Sequence, residues 1–229
     1  MKILVVENMH GDEIGGFAYP NSVDIIIGNP EAKRQKKRYI ESDLNRSFNG
    51  NSCTFEEKRA KELLPILEKY DFVLDIHSTI TGDTNAVIST HNSRKEREAA
   101  RHLIAKNYIY IPGGRNSLIY HTKNGLSLEL GGVHEKSRYQ NSIDNFINYL
   151  LGKDSMETLL REWECVGVQE KPDGCVSTKT DLKNYESVST GQVIASVDGS
   201  AITASENFTT FLWGDGQYEN IFGFKLRAL

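Results

Sequence analysis

Through the first two-thirds of the chain, short apolar runs alternate with amphipathic stretches, and the alternation predicts strands and helices in turn. Strands are predicted at residues 3–6, 23–27, 72–76, 86–89, 108–111 and 126–130, each a run rich in Ile, Val, Leu, Phe or Tyr. Between them, residues 55–70 place Leu63, Leu64, Leu67 and Tyr70 on one stripe with charges opposite, because residues three and four apart share a helix face. Residues 94–105 and 142–151 repeat that pattern. Strands and helices in this order read as an α/β fold, a mixed sheet flanked by helices. The character changes after Leu151-Gly152-Lys153-Asp154. From Trp163 onward, short β-branched and aromatic runs are broken by the turn signals Lys171-Pro172-Asp173-Gly174, Asp198-Gly199 and Gly214-Asp215-Gly216. The expected organisation is therefore a catalytic-sized α/β domain at 1–153 and a small β-rich C-terminal domain at 154–229.

Composition narrows the class without changing that picture. Of 229 residues, 38% are apolar and 25% charged, and nine Phe, ten Tyr and two Trp supply ordinary core material, which excludes wholesale disorder and collagen-like repetition. A net charge of −4 argues against nucleic acid as the main partner. The run Lys33-Arg34-Gln35-Lys36-Lys37-Arg38 carries five positive charges, but no interleaved aromatic or nucleic-acid module surrounds it, so it reads as a solvated loop. The apolar runs are strand-sized, far below the ~18–20 residues that span a bilayer, so no membrane partner is expected. Residues 3–6 are too short for the apolar region of a secretory signal, which places the protein in the cytoplasm. Cys53, Cys165 and Cys175 form no C-x-x-C pair and read as ordinary thiols of a reducing compartment.

Candidate chemistry begins directly after the first strand, where His10 and Glu13 stand at H-x-x-E spacing in Asn8-Met9-His10-Gly11-Asp12-Glu13. On a tight loop leading into a helix, an imidazole nitrogen and a carboxylate oxygen at that spacing can meet one cation at about 2.0–2.2 Å. The same spacing also suits a hydrogen-bonded loop His beside a surface Glu. His77 adds a third candidate ligand, closing the apolar strand at 72–76 at the edge where open α/β sheets bind ligands. Together, His10, Glu13 and His77 would form a His2Glu set with one position left for water, the catalytic arrangement of zinc. Two arginines and an asparagine in the stretch from Arg38 to Phe48 suit a substrate carboxylate and a developing oxyanion. Glu129, flanked by Leu128 and Leu130, either points to solvent by strand alternation or is a partly buried general base with a raised pKa.

Five motifs in order, H-G-D-E at 10–13, N-P-E-A at 29–32, R-Y-I-E-S-D-L-N-R-S-F at 38–48, D-I-H-S-T at 75–79 and L-E-L-G at 128–131, resemble the succinylglutamate desuccinylase/aspartoacylase family, a branch of the zinc carboxypeptidase-like M14 fold. The resemblance implies a zinc-dependent deacylase that cleaves the amide of an N-acyl amino acid, with one zinc per chain on His10, Glu13 and His77. It further implies Glu129 as the base that activates the zinc-bound water, Arg38 beside the scissile carbonyl, Asn45 and Arg46 on the substrate carboxylate, and Asp43 behind a ligand His. The segment Gly216-Gln217-Tyr218-Glu219-Asn220 resembles the one in which the family places a substrate-contacting Tyr, implying Tyr218. One position departs: where aspartoacylases carry an Arg, ten residues before the catalytic Glu, this chain has Ile119, then Tyr120 and His121, with Arg115 and Lys123 out of register. A carboxypeptidase acting on short peptides, or a catalytically silent binding protein on the same scaffold, are the competing functions. A homodimer is an assembly open to the chain. Of the other histidines, His102 reads as a surface or boundary residue of its helix, while His121 and His134 flank the Glu129 strand.

Overall fold

The computed structural model describes residues 1–78, 84–132, 136–175, 177–214 and 218–229. Thr79 of the D-I-H-S-T motif, His134, the Asp215-Gly216 turn and Gly216-Gln217 before Tyr218 lie outside the described residues.

The first part of the chain runs β1 (Ile3–Glu7), β2 (Val23–Ile27), α1 (Pro30–Gln35), α2 (Phe55–Leu67), β3 (Phe72–His77), β4 (Ala86–Ser89), α3 (Arg94–Ala100), β5 (Asn107–Tyr110), β6 (Gly125–Glu129) and α4 (Lys136–Leu150). It continues with β7 (Arg161–Glu170), β8 (Thr178–Lys179), β9 (Ser187–Val188), β10 (Val193–Val197), β11 (Ser200–Thr203), β12 (Phe208–Phe211) and β13 (Ile221–Ala228). Each predicted strand of the α/β part is present. Helices differ more. The stripe read over 94–105 ends as helix at Ala100, because the chain then turns to carry Leu103 and Ala105 into the core. The stripe read over 142–151 belongs to a helix that starts earlier, at Lys136, in a polar turn whose one large buried side chain is Tyr139.

The basic run is not a plain loop: Lys33, Arg34 and Gln35 close α1. Asn29 caps that helix by accepting from the Ala32 N–H, Pro30 supplies the N-terminal position, and Lys36 in the left-handed region (φ 53°) ends it. Six polar-rich residues with Ala32 alone buried leave no apolar period to detect. The charges are nevertheless solvated, with Arg34 paired to Glu31.

One ten-stranded sheet has the order β2-β1-β3-β6-β4-β5-β7-β13-β12-β9, and β11-β10-β8 form a second, three-stranded sheet. Strands β2, β1, β3 and β6 run parallel, β4 is antiparallel to β6, and β5 pairs in parallel with β4 and β7. The large sheet thus runs on past residue 153 through the β5–β7 pairing, while residue 153 itself lies between α4 and β7. Strand alternation sorts the core onto two faces. Ile3, Val5, Leu74, Ile76 and Leu128 pack with Tyr139, Ile143 and Phe146 of α4 on one. Leu4, Val6, Val73 and Ile88 pack with Ala60, Leu63 and Leu67 of α2 on the other. A third cluster around Trp213, Phe208 and Phe222 supports the small sheet. The three cysteines are free. Among the described residues no helix is long and apolar enough to cross a membrane.

Candidate metal centre and active site

The loop after β1 is fixed by its own backbone. Asn8 takes a left-handed conformation (φ 52°), which Asn tolerates, and its side-chain amide donates to the Glu13 carbonyl oxygen at 2.7 Å. The His10 N–H donates to Glu13 Oε2 at 2.8 Å, so the turn itself aims the carboxylate. Gly11 is required by close approach: a Cβ there would lie 2.1 Å from the Ala32 carbonyl carbon. Its N–H donates to the Arg38 carbonyl, which ties the H-G-D-E, N-P-E-A and Arg38 segments together. The expected helix after this loop is absent. Buried Glu7 instead accepts from the N–H groups of Gly16 and Phe17 and from the Tyr19 hydroxyl, holding the chain irregular until β2.

His77 is the last residue of β3 and stands in register with Glu129, the last residue of β6. Asp75 and His77, two apart, share the α2-facing side of the sheet. Nδ1 of His10 and Nδ1 of His77 lie 2.6 and 2.8 Å from Glu13 Oε1. The far nitrogens are held by two other carboxylates: His10 Nε2 is 3.0 Å from Asp43 Oδ1, and His77 Nε2 is 2.7 Å from Asp75 Oδ2. With Nε2–H donating to the aspartates, both Nδ1 atoms face the Glu13 oxygen, and the ligand atoms of the three residues lie within 4.8 Å of one another. Two imidazole nitrogens and one carboxylate oxygen suit a zinc-like divalent cation, and the carboxylates behind the rings are the usual means of orienting such ligands.

Burial alone would depress the His10 pKa, but the Glu13 and Asp43 carboxylates dominate and raise it to about 9. His77 is likewise raised against its burial, by Asp75 and Glu13. The Glu13 carboxyl, also buried, is held far below the usual range by the two imidazoles. This is an anion-cation arrangement that a bound metal would replace with its own charge. Glu129 behaves differently: burial pushes its pKa up, and the Glu13 and Asp75 charges add to that against the pull of the histidines. Its Oε2 is buried with no hydrogen-bond partner among the described residues.

Sequence reasoning missed two groups here. Asp75 was within reach, since D-x-H on a strand puts both side chains on one face. Tyr139 was hidden in the apolar period of α4. Its hydroxyl donates to the His77 carbonyl at 2.7 Å and accepts from the Leu130 and Gly131 N–H groups at 3.0 and 3.2 Å, joining the ends of β3 and β6.

The segment from Arg38 to Arg46 borders the same centre. Arg38 donates to Asp43 Oδ2 at 3.2 Å. Fully buried Glu56 holds the intervening loop, accepting from the N–H groups of Ile40, Glu41 and Ser42 and from the Asn29 amide. Asn45 spends its Oδ1 on the Leu118 N–H, which leaves its NH2 group to donate. Arg46 is exposed at the mouth of a cavity of about 220 Å³ that Asn45, Ser127 and Ile119 also line. That cavity lies beside the histidines, joined to them through Ser127, whose hydroxyl is 3.3 Å from Asp75 Oδ2. Tyr218 stacks edge-on against Phe224, and burial, with the nearby Glu129 and Asp43 charges, raises its phenol pKa against the pull of Arg46 and Arg38. The other described histidines stand apart. His102 is buried and stacked on Tyr149 at 3.9 Å, a correction to its reading as a surface or boundary residue, because the turn after α3 folds it inward. His91 meets Glu96, and His121 stacks on Phe48.

A family model for the succinylglutamate desuccinylase/aspartoacylase catalytic domain matches residues 18–152, more than half of the chain. The chain belongs to the succinylglutamate desuccinylase/aspartoacylase family. The family is one of amide-cleaving hydrolases. A relative from Nostoc sp. named "Probable aspartoacylase" is 24% identical over 92% of this chain and 89% of its own length. The mouse N-acyl-aromatic-L-amino acid amidohydrolase (carboxylate-forming) is 31% identical over 46% of this chain and 41% of its own. Among solved structures, murine aminoacylase 3 superposes with a TM-score of 0.81 at 19% identity, covering 100% of this chain and 95% of that one, which shows a shared fold.

Proposed function

We propose that this member of the family hydrolyses the amide bond of N-acyl amino acids, releasing a carboxylic acid and a free amino acid, with zinc held by His10, Glu13 and His77. The observation that carries the reading is the convergence of both Nδ1 atoms on Glu13 Oε1, with Glu129 in register beside His77. Zinc, when bound, supplies a Lewis acid for the scissile carbonyl and lowers the pKa of water.

The chain's own residues do the rest. Glu129, whose carboxylate is made more basic by burial, takes one proton from the attacking water and delivers it to the departing amine nitrogen. The hydroxyl ends on the acyl carbon, so the atoms of one water are distributed between the two products. Arg38 donates to the carbonyl oxygen as its charge grows. The free NH2 of Asn45 and the Arg46 guanidinium hold the substrate α-carboxylate, and Tyr218 contacts the substrate from the C-terminal part of the chain. Asp43 and Asp75 keep both histidines in the Nδ1-ligating tautomer. The three free thiols fit a cytoplasmic site of action.

Metal analysis and turnover of a panel of N-acetyl and N-succinyl amino acids by zinc-loaded protein test this together. One equivalent of zinc and release of free amino acid are expected, and His77→Ala should lose both. Full zinc occupancy in His77→Ala would remove it from the ligand set. Cleavage confined to C-terminal residues of peptides would replace the deacylase by a carboxypeptidase.

A further inference from the structure

The cavity beside the histidines mixes apolar walls with hydroxyl groups. Ile88, Ile111, Ile119 and Phe224 supply apolar surface, and Thr90, directly after β4, lines the same space. Thr90 is only 6% exposed, and its Oγ1 is buried with no hydrogen-bond partner among the described residues. Its methyl group is already seated: a Cβ on Gly114 would come within 2.8 Å of Thr90 Cγ2, so the methyl faces the loop at 111–117 and the hydroxyl points elsewhere around the same carbon. Three other polar side chains of the lining have partners. Ser127 lies 3.3 Å from Asp75 Oδ2 and donates to it, the Ser117 hydroxyl donates to the Gly114 carbonyl at 2.7 Å, and Asn45 Oδ1 accepts from the Leu118 N–H. Asn116, also of the lining, is exposed. A buried hydroxyl left unpaired costs stability, and beside a cavity its explanation lies in what the cavity holds.

From the unpaired hydroxyl in this lining we infer that Thr90 is a specificity-determining residue, whose Oγ1 takes its hydrogen bond from an uncharged polar side chain of the substrate, a carboxamide or a hydroxyl. The inference rests on the reading above in one respect, that Asn45 and Arg46 hold the α-carboxylate of an N-acyl amino acid. With that group fixed at the mouth, the amino-acid side chain extends into the cavity, whose volume of about 220 Å³ lies below that of drug-sized sites and suits one such side chain. A carboxamide or a hydroxyl both donates and accepts, as the Thr90 hydroxyl does, so the pair can form in either direction. Ser117 and Ser127, whose protons are directed at Gly114 and Asp75, keep oxygen lone pairs that can accept from the same group. An aliphatic side chain of equal shape leaves Thr90 unpaired, as it is in the free protein. A charged side chain fares worse. The charged residues of the lining, Arg46 and Arg115, are both exposed, so a charge carried past them leaves water for neutral partners.

The test compares substrates of one shape on the zinc-loaded protein. N-acetyl-L-asparagine, N-acetyl-L-leucine and N-acetyl-L-aspartate are close in size and differ in polarity and charge, and N-acetyl-L-threonine and N-acetyl-L-valine form a second such set. Wild type should favour asparagine over leucine and aspartate, and threonine over valine, by ~10–100-fold in kcat/KM. In Thr90→Val, which exchanges the hydroxyl for a methyl, the asparagine-to-leucine and threonine-to-valine ratios should fall toward one, and Thr90→Ser should keep them. Calorimetry with free L-asparagine and L-leucine makes the same comparison without turnover. A further readout needs no substrate: removing an unpaired buried hydroxyl should leave the melting temperature of Thr90→Val at or above that of wild type. A drop of ~2–4 °C would show that the hydroxyl is bonded within the protein and would overturn the inference. Leucine or aspartate preferred by wild type, or ratios unchanged in Thr90→Val, would overturn it too and leave deacylation intact. L-asparagine bound in preference to L-leucine, with no N-acyl derivative cleaved, would sink the deacylase reading and leave the Thr90 assignment standing.

Discussion

Every buried aspartate or glutamate among the described residues, namely Glu7, Glu13, Glu56, Asp75 and Glu96, lies before residue 153. Beyond it, the buried polar side chains among the described residues are Thr209 and Thr210, alongside a core that includes Trp213, Phe208, Phe211 and Phe222. The difference is one of task. Burying a carboxylate costs several kcal/mol unless donors surround it, and each of these five has its donors: loop N–H groups for Glu7, Glu56 and Glu96, imidazoles for Glu13 and Asp75. Such groups fix irregular backbone or ring orientation. Among the described residues the C-terminal strands bury no carboxylate, and aromatic packing holds them together. They reach the candidate site through two side chains, Tyr218 and Phe224.

Four substitutions sharpen or break that contrast. The largest effect is expected for Glu129→Gln, a near-isosteric change that should retain zinc while kcat falls roughly 10²–10⁴-fold. A loss of only a few-fold would mean that the Glu129 carboxylate is structural, like the five buried ones. Next is Glu56→Gln, which spoils a charged acceptor for three loop N–H groups and should lower stability by about 2–3 kcal/mol. Burial pushes the Glu56 pKa up, but the backbone donors of Ile40, Ser42 and Glu41 and the Asn29 amide outweigh it and set it below the ordinary carboxylate value. A lowered folded-state pKa adds stability above the unfolded value and loses it as pH falls through the folded one. Denaturant melts of wild type and Glu56→Gln should therefore draw together as pH falls from the unfolded value, about 4.3, through the lower folded one. A gap that stays constant down to acid would show that the charge is not what holds the loop.

Tyr218→Phe probes one of the two side chains that cross between the regions. Losing one neutral hydrogen bond to substrate should cost about 10-fold in kcat/KM with no change in melting temperature. The smallest effect belongs to Thr210→Val. Its hydroxyl accepts from the Glu186 N–H at 3.0 Å, and its removal should cost about 1 kcal/mol of stability and leave kcat untouched. Altered kcat in Thr210→Val would show that the C-terminal strands take part in the chemistry and would dissolve the contrast.

What the sequence displayed depended on how far apart the cooperating residues stand. Strands β1 to β6 were legible because alternating apolar runs are local, and the ligand candidates because H-x-x-E and a strand-end His carry their own spacing. Helix α1 was not, since a single buried Ala gives no period. Asp75 stood in plain view within D-I-H, yet its role needs the strand to put it on the side of His77. The cavity was illegible: Ile88, Ile111, Ile119 and Phe224, which help to line it, meet only after the sheet has formed. Ile119 departs from the arginine of aspartoacylases, and only the folded chain shows that it lines the cavity beside the histidines.

His77 and Glu129 face each other across one rung of a parallel ladder. Their separation is therefore set by the spacing between paired strands, about 4.7–4.9 Å in any sheet, and not by the course of a loop. Amides of β3 and β6 should be among the last in the molecule to exchange with deuterated solvent, since opening them means opening the sheet's centre. Changes at Ile111, Ile119 or Phe224 can then redraw the cavity while His77 and Glu129 keep their distance. The wall of the cavity is thus free to vary where the spacing of the two sheet-borne side chains is not.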